Sequence, residues 1–186
     1  MKNDEKLALE NNVDLEARLN DSNTTDINGT AHSEHPQELR LWLRLLTCTQ
    51  LIEKQIRTEL RVQFDTTLPR FDLLSQLERS PDGLKMNELS RRMMVTSGNI
   101  TGITDQLVTE GFVERITVDG DRRAYRVKLT DKGRKNFTEM AVQHENWIVE
   151  AFSSLKDTEI TTLHKLLGQV KQHAINSQNT LKEDAS

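Results

Sequence analysis

The run from Leu84 to Gly133 constrains this chain most, because within about fifty residues a helical rhythm is broken, resumed and then replaced by alternation. Leu84, Met86, Leu89, Met93 and Met94 fit one short helix, Val95-Thr96-Ser97-Gly98 interrupts it, and Ile100, Ile103, Leu107 and Val108 resume helical spacing. Two short helices with a tight break predict a helix-turn-helix at about 86–109. Beyond Glu110-Gly111, the β-prone runs around Phe112, Val113, Ile116 and Val118 and around Tyr125, Val127 and Leu129 flank Asp119-Gly120-Asp121. An aspartate-glycine turn between such runs predicts a β-hairpin at about 112–130.

The flanks are helical. Leu39, Trp42, Leu43, Leu46, Ile52, Ile56 and Leu60 recur at helical spacings between 36 and about 64. At 1.5 Å per residue this is a rod of about 40 Å, too long for one small core, so a partner is expected to cover the rest. Thr67 is expected to cap a next helix with Pro69 in its first turn and Phe71, Leu73, Leu74 and Leu77 inward; Ser80-Pro81-Asp82-Gly83 ends it. Thr130 caps a long helix carrying Phe137, Met140, His144, Trp147, Ile148 and Phe152, and a last helix runs over about 157–179. The expected fold is mainly α with a small β-hairpin: a winged helix-turn-helix lobe (66–130) and a helical lobe (36–65 and 131–180). Residues 1–35, polar and acidic, are expected to be a disordered tail.

A net charge of -4 argues against a nucleic-acid partner until it is read by segment. Positions 1–35 carry 3 basic and 8 acidic residues, whereas 84–135 carry 11 basic and 7 acidic, so the basic excess lies in the helix-turn-helix block. The single cysteine excludes an intrachain disulfide and suits a reducing, cytoplasmic setting. No apolar run reaches the roughly 18 residues of a membrane span, and the first thirty residues do not read as a signal peptide. Phosphate-binding glycine loops, nucleophile elbows and metal-ligand spacings are absent from the sequence, so no enzyme, cofactor or metal is expected.

With Ile100, Ile103, Leu107 and Val108 inward, the second helix of the motif turns Ser97, Gly98, Asn99, Thr101, Gly102, Asp105 and Gln106 outward. Its N-terminal residues are the ones a recognition helix offers to base edges and phosphates of duplex DNA. Each interior glycine costs about 1 kcal/mol relative to alanine. Gly98 and Gly102 therefore call either for close approach of DNA or for tight helix packing. On the hairpin, Arg122 and Arg123, followed by Arg126 and Lys128, suit phosphates or a narrow minor groove; a solvated, salt-bridged turn is the alternative.

The run LKMNELSRRMMVTSGNITGITDQLVTEGFVERITVDGDRRAYRVKLTDKG resembles the MarR family of bacterial regulators. A Leu-Ser/Ala-Arg-Arg helix, a Thr-containing recognition helix ending in Gly-Phe-Val-Glu-Arg, an Asp-Arg-Arg wing and Leu-Thr-x-x-Gly appear at 89–92, 96–115, 121–123 and 129–133. The likeness covers about 36–180 and brings Arg92 into the DNA-binding set. It implies a homodimer with intertwined first and last helices, its wings astride a pseudo-palindromic operator. It also implies a repressor released by a small phenolic or aromatic acid held between the dimer helices and the DNA-binding lobe. LRLWLRLLT and TLPRFDLLSQLER are similar to a branch sensing hydroxycinnamate-type acids or their coenzyme A thioesters.

Arg40, Trp42, Arg44, Arg70, His144 and Trp147 suit such an effector, arginine for a carboxylate and tryptophan for a ring; core packing or solvation is the favoured reading of each taken singly. Cys48, beside an apolar stripe with no adjacent charge, is expected to be buried and inert. Oxidant sensing through it is an alternative, as is a winged helix that binds protein instead of DNA.

Overall fold

The computed structural model describes residues 37–118 and 121–183, leaving aside the side chains of 118, 121–124 and 178–183. The expectations for the tail, for the Asp119-Gly120 turn and for the side chains of Arg122 and Arg123 lie outside the described residues. The chain divides into two compact units, Met1–His144 and Glu145–Ser186.

Helix α1, Gln37–Phe64, runs for 28 residues and buries Leu43, Thr47, Ile56 and Leu60. It stops where Asp65 turns left-handed (φ 47) and the Thr66 N–H reaches back to the Leu60 carbonyl at 3.2 Å. Leu41, Trp42 and Leu51 on the same helix are exposed. Helix α2, Leu68–Glu78, buries Phe71, Leu73, Leu74 and Leu77. Burying each such side chain contributes about 1.5–3 kcal/mol relative to exposure. One expectation is corrected here: the Thr67 side chain makes no capping hydrogen bond. Its backbone carbonyl instead accepts from the Arg70 and Phe71 N–H groups at 3.1 and 3.0 Å, and Pro69 needs no acceptor.

Asp72 of α2 faces Glu53 and Arg57 of α1. Burial, reinforced by the Glu53 carboxylate and opposed by Arg57, raises its pKa above 3.8. The folded chain therefore holds this proton more tightly than the unfolded one. The stabilisation is complete below 3.8 and is lost as pH rises through the folded value. Asp72→Asn is expected to raise the melting temperature at pH 7, with a gain that shrinks as the pH falls toward 4. Thermal melts across that range check it; an unchanged or lower value at pH 7 contradicts it.

The turn after α2 closes through the Gly83 N–H on the Ser80 carbonyl at 2.8 Å, with Gly83 at φ +75 and room for no side chain: a Cβ would lie 2.7 Å from the Val127 oxygen. Leu84-Lys85, read from sequence as the start of a helix, is a short strand, β1, pairing antiparallel with Val127 and Arg126. Antiparallel β2, Val113–Val118, and β3, Asp121–Leu129, form the expected hairpin, with an irregularity between Thr117 and Val118, and β1 makes it a three-stranded sheet in the order β1-β3-β2. Two residues are too few to display an alternation, so β1 was invisible to periodicity.

Helix α3, Met86–Met93, starts with the Lys85 N–H donating to the Glu88 carboxylate at 3.0 Å and ends at Met94, which is left-handed (φ 54) and 93% exposed. Helix α4, Ser97–Thr109, follows Thr96. The break is thus shorter than the sequence reading, since Ser97 and Gly98 already belong to the helix. Helix α5, Asp131–Ala151, begins at Thr130, whose Oγ1 accepts from the Gly133 N–H at 3.0 Å and donates to the Gly111 carbonyl at 2.7 Å. Helix α6, Asp157–Glu183, leaves Leu166, Val170 and Ile175 exposed. Among the described residues no helix is long and apolar enough to cross a membrane.

Candidate nucleic-acid interface

Helix α4 buries one side. Ile100, Thr104 and Leu107 are buried, and the Thr104 hydroxyl donates to the Ile100 carbonyl at 2.8 Å, so it brings no unmet polar group into the core. The other side carries Ser97, Gly98, Asn99, Thr101, Gly102, Asp105 and Gln106, all exposed. The Thr96 side chain accepts from the Asn99 N–H at 3.5 Å, a long cap that leaves the helix N-terminus electropositive toward solvent. Among the described residues, a Cβ at Gly98 or Gly102 would meet nothing within 4 Å. Packing against those residues therefore does not explain these glycines.

The Asp105 carboxylate is paired with Arg115 of β2, whose guanidinium lies 5.0 Å from the Tyr125 ring centroid. That pair joins the outer face of α4 to the base of the hairpin and neutralises an acid beside a surface otherwise suited to phosphate. On the hairpin, Arg126 donates to the Gly83 carbonyl at 3.1 Å and Lys128 pairs with Glu114 at 3.2 Å. These two cations, which the sequence places on the return strand behind Arg122 and Arg123, each have a partner within the chain. Arg92 of α3 is exposed and donates to the Ser80 hydroxyl at 3.1 Å.

The C-terminal end of α4 is fastened from several directions. Gly111 (φ +75) lets the Phe112 N–H return to the Leu107 carbonyl at 2.9 Å. Arg70 holds the Glu110 carboxylate through both terminal guanidinium nitrogens, one contact at 2.8 Å, and keeps its pKa below the usual glutamate value. Lys132 donates to the Glu110 carbonyl at 2.7 Å and lies over the Phe112 ring. Helical periodicity does not flag the two hydrogen-bonded partners of Glu110, because Arg70 and Lys132 lie 40 and 22 residues away in sequence.

The residues expected to meet an effector are spread over three helices. On α1, Trp42 is 59% exposed, Arg44 is exposed and Arg40 is half-buried. Arg70 is engaged by Glu110. On α5, His144 stacks on Phe71 with ring centroids 4.7 Å apart and its pKa is lowered by burial, while Trp147 is half-buried. Cys48 is exposed, correcting the expectation of a buried thiol: residues 48 and 49 lie on the outer side of α1 while Thr47 takes the buried position.

Comparison with known proteins agrees with this geometry. The MarR family profile matches residues 66–125. The HTH-type transcriptional regulator PecS of Dickeya dadantii is 28% identical over 110 residues, spanning 58% of this chain and 66% of PecS. YpoP, an HTH-type transcriptional regulator of Bacillus subtilis, is 30% identical over 127 residues, spanning 67% of this chain and 89% of YpoP. The crystal structure of the reduced form of MarR from E. coli is 30% identical, with a TM-score of 0.61 over 70% of this chain and 95% of that one. The C80S mutant of the same protein, crystallised with operator DNA, matches with a TM-score of 0.62 and 27% identity over 74% of this chain and 99% of that one. With the family profile falling on the helix-turn-helix and hairpin, and a relative 30% identical over 89% of its own length, the chain belongs to the MarR family of DNA-binding transcriptional regulators.

Proposed function

We propose that the chain is a repressor that binds a pseudo-palindromic DNA operator as a homodimer and is released by a small aromatic acid or its coenzyme A thioester. The observation that carries the reading is the exposed, polar N-terminal half of α4, where Ser97, Asn99 and Thr101 flank two glycines whose added Cβ would meet no described residue within 4 Å, with Gln106 exposed further along the helix. In this reading those side chains meet base edges in the major groove, the glycines admit the sugar-phosphate backbone, Arg92 contacts phosphate, and Arg122 and Arg123 reach phosphates or the minor groove. The exposed Trp42 and Leu51 of α1, and Leu166 and Val170 of α6, support the homodimer, since a second copy would remove them from water. The effector class rests on Arg40, Trp42, Arg44, Arg70, His144 and Trp147. The same arginines suit any organic anion, so the ring is what thermal-shift comparison of aromatic with aliphatic acids tests.

Titration of an operator duplex enriched from a random pool is expected to show affinity at least a hundredfold above random duplex. For both duplexes it is expected to show a steep linear fall of log affinity with log salt. Equal affinity for the two duplexes would overturn the reading. The exposure of Cys48 favours a second reading, release by thiol oxidation. Peroxide-induced loss of operator binding that Cys48→Ser abolishes would support it.

A further inference from the structure

Helix α2 is joined to the recognition helix at one end and to α5 at the other by ion pairs whose charges sit at the unfavourable ends of their own helices. Arg70 lies in the first turn of α2, and Glu110 caps the C-terminus of α4. Both terminal guanidinium nitrogens of Arg70 donate to the Glu110 carboxylate, and the buried Nε makes no hydrogen bond among the described residues. At the far end, Glu78 is the last residue of α2 and accepts from Arg134, in the first turn of α5, at 2.7 Å. A cation near a helix N-terminus and an anion near a C-terminus both oppose the macrodipole. Neither pair serves the helix that carries it; each is favourable as a link across helices.

We propose that Arg70 and Glu110 are positioning residues for DNA reading: their pair sets the tilt of α4 on α2, and through it the discrimination between operator and random duplex. The inference rests on the base-reading role proposed for the N-terminal half of α4. The pair holds one end of the helix and the reading turn is at the other. Over 13 residues, at about 1.5 Å each, a tilt of about 5° at the capped end moves the reading turn by about 1.7 Å. Hydrogen bonds to base edges tolerate about 0.5 Å. Random duplex, held through phosphates by mobile side chains, is far less sensitive to such a tilt.

The test uses the full chain, an operator duplex enriched from a random pool by the wild-type protein, a random duplex of equal length, and thermal melts. Arg70→Gln and Glu110→Gln are each expected to weaken operator binding about tenfold and random-duplex binding less than threefold, although one removes a cation and the other an anion. Arg70→Lys, which keeps the charge and loses the two-point grip, is expected to fall between wild type and Arg70→Gln. The exchanged pair, Arg70→Glu with Glu110→Arg, is expected to return operator affinity to within threefold of wild type. Its melting temperature should equal or exceed that of wild type, because both charges then favour their own helix dipoles.

Operator affinity that follows net charge, falling in Arg70→Gln and rising in Glu110→Gln, would overturn the proposal. So would unchanged discrimination in the single variants, or operator and random affinities falling together in step with lost thermal stability. A wild-type chain that fails to distinguish operator from random duplex would instead remove the base-reading role beneath it.

Discussion

Gly133→Ala is expected to destabilise the folded chain by about 3 kcal/mol, the upper end of the range for overpacking. An added Cβ would lie 1.8 Å from the Phe112 carbonyl oxygen and 2.8 Å from its carbon. The obstacle is backbone, and both sides of the contact are tied. The Phe112 carbonyl accepts from the Thr130 N–H at 3.1 Å, while the Thr130 hydroxyl accepts from the Gly133 N–H at 3.0 Å. Relief would require α5 to withdraw from the junction of α4 and β2, breaking bonds at a half-buried site. Gly102→Ala is the contrasting case, because its Cβ would enter open space. There the higher helix propensity of alanine is expected to stabilise the DNA-free protein by about 1 kcal/mol. Denaturant unfolding should show the midpoint falling for the first variant and rising for the second at unchanged m-value. A Gly133→Ala chain with the wild-type midpoint would show that the close approach is not held.

Gly98→Glu is expected to abolish specific DNA binding while leaving the fold as stable as wild type or more so. A Cβ at residue 98 would meet no described residue within 4 Å, and the position lies in the first turn of α4. Glutamate gains about 0.5–1 kcal/mol over glycine in helix propensity and favours the positive end of the helix dipole. In the proposed complex the same charge would face phosphates, whereas the Asp105 carboxylate is already paired with Arg115. Like-charge juxtaposition at an interface costs several kcal/mol, so a loss of at least a hundredfold in operator affinity is expected. Anisotropy titration and a thermal melt on one preparation separate the two effects. Operator affinity within threefold of wild type would place the base-reading surface somewhere other than the N-terminal turn of α4.

The two short helices, the hairpin and the long flanking helices were legible because each carries a period. Leu89, Ile100 and Leu107 mark buried faces through a spacing that any chain with this pattern must satisfy, and the structure buries all three. The outward face of α4 follows by subtraction, which is why Ser97 through Gln106 could be named before any coordinates. Elements without a period escaped: β1 is too short for one, and Thr67 caps through its backbone, which residue type does not reveal.

Arginines proved hardest to place, since a guanidinium on a polar face reads alike whether it will meet phosphate, solvent or a carboxylate. Arg70 looked like a ligand for an effector, and only the approach of Glu110, 40 residues away, shows it fastening the end of the recognition helix. Arg126 and Lys128 belonged by sequence to the DNA-facing wing, and they are engaged by the Gly83 carbonyl and Glu114.

By itself the sequence determined the periodic elements, the buried faces of the two short helices and the basic block over 84–135, because local spacing and composition dictate periodicity and charge. Only the tertiary structure decided which charges pair, which glycines are crowded and which stand open. Those outcomes depend on what the folded backbone brings within a few ångströms. Gly133 against Phe112 and Gly98 against empty space are the same residue in the first turns of two helices, and their surroundings alone separate them.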